Sequence, residues 1–383
     1  MPDSFLHTYA AFRDFLAHHP EIEIGDSVTS IPEEVRTEFY SCFNATRKAF
    51  VETQFPQHLD RTAVLLEKYR KAEDNLAGLL SWEESSVVTR LQRFMRDPMD
   101  SLTRELFDPL FDLLKGRESV ESFTARASSA IEALFPEVFQ AGYEKWAVLS
   151  LIKMCEAGKA FRVDVRSLNP GERSKTAIHA PSEEVPIPRE SASFLFSQHR
   201  NAIFTVPDLI VHSSRLNGFV GIRTGYKEGL YNAWNASQER VWYPVDTDLL
   251  TLMEGLTLVY FSEKAESIAL IADVAKLCRP DLILWCIDAQ NMSQENSFEK
   301  MTRIDSRIKP PKGSYIIANA EWPGSGDSAE NNLPAQTDEQ TMGVHLLTVG
   351  YDESRLMPVI EALVRENLPQ VSGLRSQVEK PNL

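Results

Sequence analysis

The hydrophobic period of this chain changes once, near residue 158, and that change constrains the fold more than any single motif. Before it, apolar residues recur three and four apart, as on the inner face of a packed helix. After it, Phe161-Arg162-Val163-Asp164-Val165-Arg166 alternates with period two, the pattern of a half-buried strand. Short continuous apolar runs follow, as expected of strands covered on both faces. The pattern predicts an all-helical region over 1–158 and an α/β domain with a mixed sheet over 159–383. With 383 residues, each part is long enough to bury its own core.

In the first part, Val35, Phe39, Phe43 and Phe50 share one helical face with Cys42. Ser30-Ile31-Pro32-Glu33 predicts the start of that helix, with Ser30 as its cap, and Pro56 its end. A second helix is expected from about Leu59, with Ala63, Leu66 and Tyr69 inward. A third is capped by Ser81, carries Val88, Leu91 and Met95, and closes at Asp97-Pro98. Leu106, Leu110, Leu113 and Leu114 mark a fourth, ended by Lys115-Gly116. A fifth spans 119–134, and Pro136 opens the sixth and longest, through Met154.

In the second part, 169–190 reads as a polar, Pro-rich loop. Within it, Gly171 to Thr176 has the outline of a phosphate-binding loop, but Asn169 and Ser174 stand where glycines are needed. The apolar runs 256–261 and 281–288, joined by a helix starting at Ser262, read as a right-handed parallel βαβ unit. Stretches 289–313 and 321–341 are polar and read as surface loops. Strands are expected at 315–318 and 344–349, and a closing helix begins at Asp352 or Ser354 and runs through Val364.

Composition narrows the partners. A net charge of −15 argues against a broadly basic surface that tracks phosphates, so another protein is the expected partner and nucleic acid is disfavoured. Cys42, Cys155, Cys278 and Cys286 form no C-x-x-C pair and read as free thiols of a reducing cytoplasm. The first residues show no basic region followed by an apolar one, so no secretory signal is expected. No apolar run reaches the ~20 residues that span a bilayer.

The segments 202–212 and 218–223 form the outline of a hairpin. The first contains Pro207-Asp208, and the second reads Gly-Phe-Val-Gly-Ile-Arg. A Pro-Asp strand followed by a strand ending on a basic residue resembles the metal-binding hairpin of the PD-(D/E)xK nuclease superfamily. The element order over about 137–290 is similar to that family's. The resemblance implies a restriction-endonuclease-like sheet, with Asp208 as first metal ligand and a Mg²⁺ ion that polarises the phosphate and activates water. It departs at two positions. Gly221 stands at the glutamate position and has no ligand atoms, and Arg223 replaces the lysine with a guanidinium that stays protonated. A metal site at Asp208 then requires a carboxylate converging from elsewhere: Glu144, Glu156, Asp164 or Glu228.

The residues therefore predict a non-catalytic binding or scaffold protein on a degenerate nuclease-like core, without a cofactor. Two alternatives stay open: a Mg²⁺-dependent nuclease with a relocated carboxylate, in which Asp208 and Arg223 act, and a small-molecule-binding α/β domain at the ends of its parallel strands. The run Pro280-Asp281-Leu-Ile-Leu also resembles the central strand of receiver domains, with Asp288 about two residues beyond the phospho-acceptor position.

Overall fold

The computed structural model describes residues 4–25, 29–80, 84–87, 89–163, 188–191, 193–195, 207–224, 255–269, 280–321 and 343–364. Helices dominate up to residue 154: α1 (Ser4–His18), α2 (Glu33–Gln54), α3 (Pro56–Leu80), α4 (Thr89–Arg96), α5 (Pro98–Arg104), α6 (Phe107–Leu114) and α7 (Val120–Met154). Short strand pairs lie beside them: β1 (Glu23–Ile24) with β2 (Thr29–Ser30), and β3 (Glu84–Ser86) with β6 (Ser193–Leu195). The main sheet contains β4 (Ala157–Val163), β5 (Pro188–Glu190), β7 (Leu209–Ser213), β8 (Gly218–Arg223), β9 (Thr257–Ser262), β10 (Leu282–Ile287), β11 (Ser314–Ala318) and β12 (Val344–Thr348). The predicted architecture, a helical N-terminal region followed by a mixed sheet with helices, is the observed one.

Among the described residues the sheet order is β12-β11-β10-β9-β8-β7-β4-β5. Strands β10, β11 and β12 are parallel, and every pairing from β10 back to β5 is antiparallel. This corrects the expected βαβ unit, because β9 and β10 are antiparallel neighbours. The parallel crossover lies one step later, through α9 (Gln294–Ile308), which follows α8 (Ala265–Ala269) in the helix order. Helix α9 occupies most of the stretch read as a polar loop. Ser293 caps it by accepting from the Asn296 amide, and only Ser297, Met301, Ile304, Asp305 and Ile308 turn inward. Residues 188–190 likewise form a strand at the end of the predicted 169–190 loop.

Side chains alternate across the sheet. Leu282, Leu284 and Cys286 of β10 join one core with Leu209, Val211, Val220, Ile222 and the N-terminal helices. Ile283, Trp285 and Ile287 join a second core with Ile210, Leu258, Tyr260, α8 and α9. Burial on both faces explains why Leu-Ile-Leu-Trp-Cys-Ile is continuously apolar.

Helix α7 lies between the sheet and the other helices, and every residue from 141 to 152 is buried. Ser119 caps it by accepting from the Ser122 amide at 3.2 Å. The expected break at Pro136 does not occur, and the helix runs through it. A proline inside a helix removes one backbone hydrogen bond, but Leu134, Phe135, Val138 and Phe139 are buried on both sides of it and hold the helix in line. Three further corrections are local. The cap of α2 is Pro32, not Ser30, which belongs to β2. The inner face of α3 is Thr62, Leu65, Tyr69, Ala72 and Leu76, turned away from exposed Ala63. The third expected helix, α4, starts at Thr89 and not at Ser81, with β3 between them; it closes at Asp97-Pro98 as expected, where the Asp97 side chain accepts from the Asp100 amide and starts α5.

Among the described residues no helix is long and apolar enough to cross a membrane, and Cys42, Cys155 and Cys286 are free. Burial pushes the Cys155 thiol up to about 12 and raises Cys286 as well. Iodoacetamide applied to the native protein at pH 8 is expected to spare both while modifying half-buried Cys42, as read by peptide mass mapping. Modification of Cys155 at the rate of Cys42 would show that the helical core opens under native conditions.

Candidate functional site

Strands β7 and β8 form the expected hairpin, with Leu209 opposite Ile222 and Ile210 opposite Gly221. That register places Asp208 and Arg223 across from one another, both buried, on the face covered by α8. One oxygen of Asp208 accepts from both the amide and the hydroxyl of Thr224, each at 2.8 Å. The carboxylate thus ties the start of β7 to the end of β8.

The glycine at 221 has a packing cause. A Cβ built there would lie 2.5 Å from Cγ2 of Ile268 and 3.1 Å from Cγ of Pro207. Helix α8 therefore rests on the backbone at the position where the nuclease outline needs a glutamate.

The carboxylates named as substitutes are placed elsewhere or lie outside the described residues. Glu144, on α7, accepts from the Thr257 hydroxyl at 2.5 Å and lies 3.5 Å from the Lys145 ammonium. Thr257 points away from the face that carries Leu258, the partner of Arg223, so Glu144 is on the opposite side of the sheet from Asp208. Glu156 accepts from Ser214 at the other end of the hairpin. Asp164 and Glu228 lie outside the described residues, as does the segment from Gly171 to Thr176. Among the described residues no three of His, Cys, Asp and Glu are gathered as a ligand set, and the groups around Asp208 do not fit a Mg²⁺ site.

A second polar cluster closes the parallel part of the sheet. Asp288 immediately follows β10 and is 1% exposed. Its Oδ1 accepts from Arg61 Nη2 at 2.6 Å, from Asn319 Nδ2 at 3.0 Å and from the Gln290 amide at 3.3 Å, and its Oδ2 accepts from Asn291. Asn319 immediately follows β11 and accepts the Ala289 amide through its own side-chain oxygen. Arg61 reaches the sheet from α3, its guanidinium 4.4 Å above the Phe139 ring of α7.

Neighbouring aromatic groups extend the cluster. The His58 ring lies 4.0 Å from that of Phe135, and burial first and Arg61 second lower its pKa. Tyr351, just beyond β12, sits edge-on to Tyr143 and Trp146. Its hydroxyl is buried without a hydrogen-bond partner among the described residues. Burial pushes this phenol above its ordinary value, with Arg61 opposing and Asp288 adding. The arrangement lies at the carboxyl ends of adjacent parallel strands, where open α/β sheets bind ligands.

The two clusters are distinct. Arg223 is level with Leu258, and Leu258 is level with Ile283. Asp288 is five residues further along β10, about 16 Å at strand rise. Of the second cluster, the sequence drew notice only to Asp288, at the end of its buried strand. Arg61, Asn319 and Tyr351 carried no signal, because no local motif joins positions on four separate elements.

Compared with known proteins, the chain matches no family model, and no curated protein or solved structure matches it.

Proposed function

We propose that the chain is a non-catalytic binding or scaffold protein built on a degenerate nuclease-like α/β core. The observation that carries this reading is the contact at residue 221. Ile268 fills the place of the second carboxylate, so the glycine is a packing solution and not a gap awaiting a ligand. Two further points support it: the Asp208 oxygen engaged by Thr224, and an Arg223 that cannot serve as a general base. With a net charge of −15 and buried free thiols, the reading carries a protein partner and a reducing cytoplasm.

Incubation of the full chain with Mg²⁺ or Mn²⁺ and plasmid, single-stranded DNA or RNA is expected to give no cleavage above that of an Asp208→Ala control. Cleavage that needs the metal and disappears in Asp208→Ala would overturn the reading. A small-molecule-binding role is the second reading, favoured by the Asp288 cluster at the ends of the parallel strands.

A further inference from the structure

Among the described residues, the Asp288 cluster has hydrogen-bond donors left over and no acceptor to receive them. Asp288 already takes four donors across its two oxygens. Arg61 spends one of its five N–H groups on Asp288, and among the described residues the rest of its fork makes no other hydrogen bond. Its side chain is 18% exposed, so the unused edge is open to a ligand from solution. The Tyr351 hydroxyl adds a further donor, buried and unpartnered among the described residues.

These groups are set along one face of α7. Phe135, Phe139 and Tyr143 are four residues apart in turn, so they form a single row with about 6 Å between rungs. His58 lies on the first rung, Arg61 on the second and Tyr351 on the third. A guanidinium stacked on an aromatic ring and pinned by a carboxylate keeps a fixed orientation, which suits bidentate recognition of a planar or tetrahedral oxyanion.

We propose that Arg61 and Tyr351 form a subsite for a small oxyanion, the phosphate or carboxylate group of a soluble ligand, at the carboxyl ends of β10, β11 and β12. A cation is disfavoured, because it would face the guanidinium while every oxygen of Asp288 is already engaged. The subsite lies about 16 Å along the sheet from Asp208 and does not depend on the reading of the hairpin, so cleavage assays and anion titrations fail separately.

Titration of the full chain with inorganic phosphate, and separately with acetate, tests the subsite. The readouts are melting temperature and the NMR titration of the His58 imidazole. At least one anion is expected to raise the melting temperature saturably, and to shift the His58 midpoint upward by adding a negative charge beside it. Tighter binding of phosphate assigns a phosphate monoester, and tighter binding of acetate a carboxylate.

Tyr351→Phe removes only a hydroxyl that has no partner among the described residues, so its melting temperature without anion is expected to be no lower than that of the parent. Its anion affinity is expected to fall about tenfold, the loss of one hydrogen bond to a charged group. Arg61→Lys, which keeps the charge against Asp288 but loses the fork, is expected to weaken binding as well. The proposal is overturned if neither anion changes the melting temperature or the His58 titration, or if Tyr351→Phe binds as tightly as the parent.

Discussion

Arg61→Ala is expected to destabilise the protein by about 3–5 kcal/mol, measured by urea denaturation, because it strands the Asp288 carboxylate in the interior without a cation. Asp288 is buried at the end of β10, and Arg61 is the cation bonded to it. The contributions of Asn319, Asn291 and the Gln290 amide soften the loss but do not neutralise the charge. The substitution also removes a guanidinium lying over Phe139 and Phe135.

The effect should be asymmetric. Asp288→Asn leaves Arg61 with part of its charge in water and is expected to cost about 1–2 kcal/mol. Adding Asp288→Asn to Arg61→Ala should recover stability, because the double variant no longer buries a lone charge. The result would locate the joint between the helical region and the sheet, since Arg61 and Asp288 are 227 residues apart and belong to the two halves. A cost below about 1 kcal/mol for Arg61→Ala, with no recovery in the double variant, would mean that the neutral donors alone sustain Asp288.

The architecture was legible because it depends on local periodicity. The change from helical to alternating pattern marks the start of the sheet to within two residues, since β4 begins at Ala157. The run 281–288 announced a strand covered on both faces, and β10 is buried throughout. Connections were harder. Helix α9 shows a narrow apolar stripe inside a polar stretch, so composition concealed the period. The antiparallel pairing of β9 with β10 is a choice among partners that no local pattern records.

The site was legible only in part, for the same reason. That residue 221 is a glycine and not a glutamate could be read directly, but the side chain that leaves no room there, Ile268, is 47 positions later and on another element. Arg61 looked like any charge on a helix, and its role exists only once α3 lies across the end of the sheet. Tyr351 stood next to the predicted closing helix, with nothing to show that its hydroxyl would be buried.

Gly221→Glu supplies the residue type that the nuclease outline lacks, and it is expected to destabilise the chain without producing activity. The Cβ alone would lie 2.5 Å from Cγ2 of Ile268 and 3.1 Å from Pro207, contacts that require α8 to move. Overpacking of this kind costs about 1–3 kcal/mol, and forcing a carboxylate into the same space adds its desolvation, so a loss of at least about 3 kcal/mol is expected. Gly221→Ala isolates the steric part. Paired with Ile268→Ala, which removes the methyl it meets, it should cost at least about 1 kcal/mol less than the two changes summed. Strict additivity, read from denaturation midpoints, would show that α8 does not rest on the hairpin. A stable Gly221→Glu protein that cleaves DNA with Mg²⁺ would show that the place of the second carboxylate had been open. The expected result is the reverse, because the hairpin and α8 pack as a unit and room for a ligand there exists only at the expense of the core.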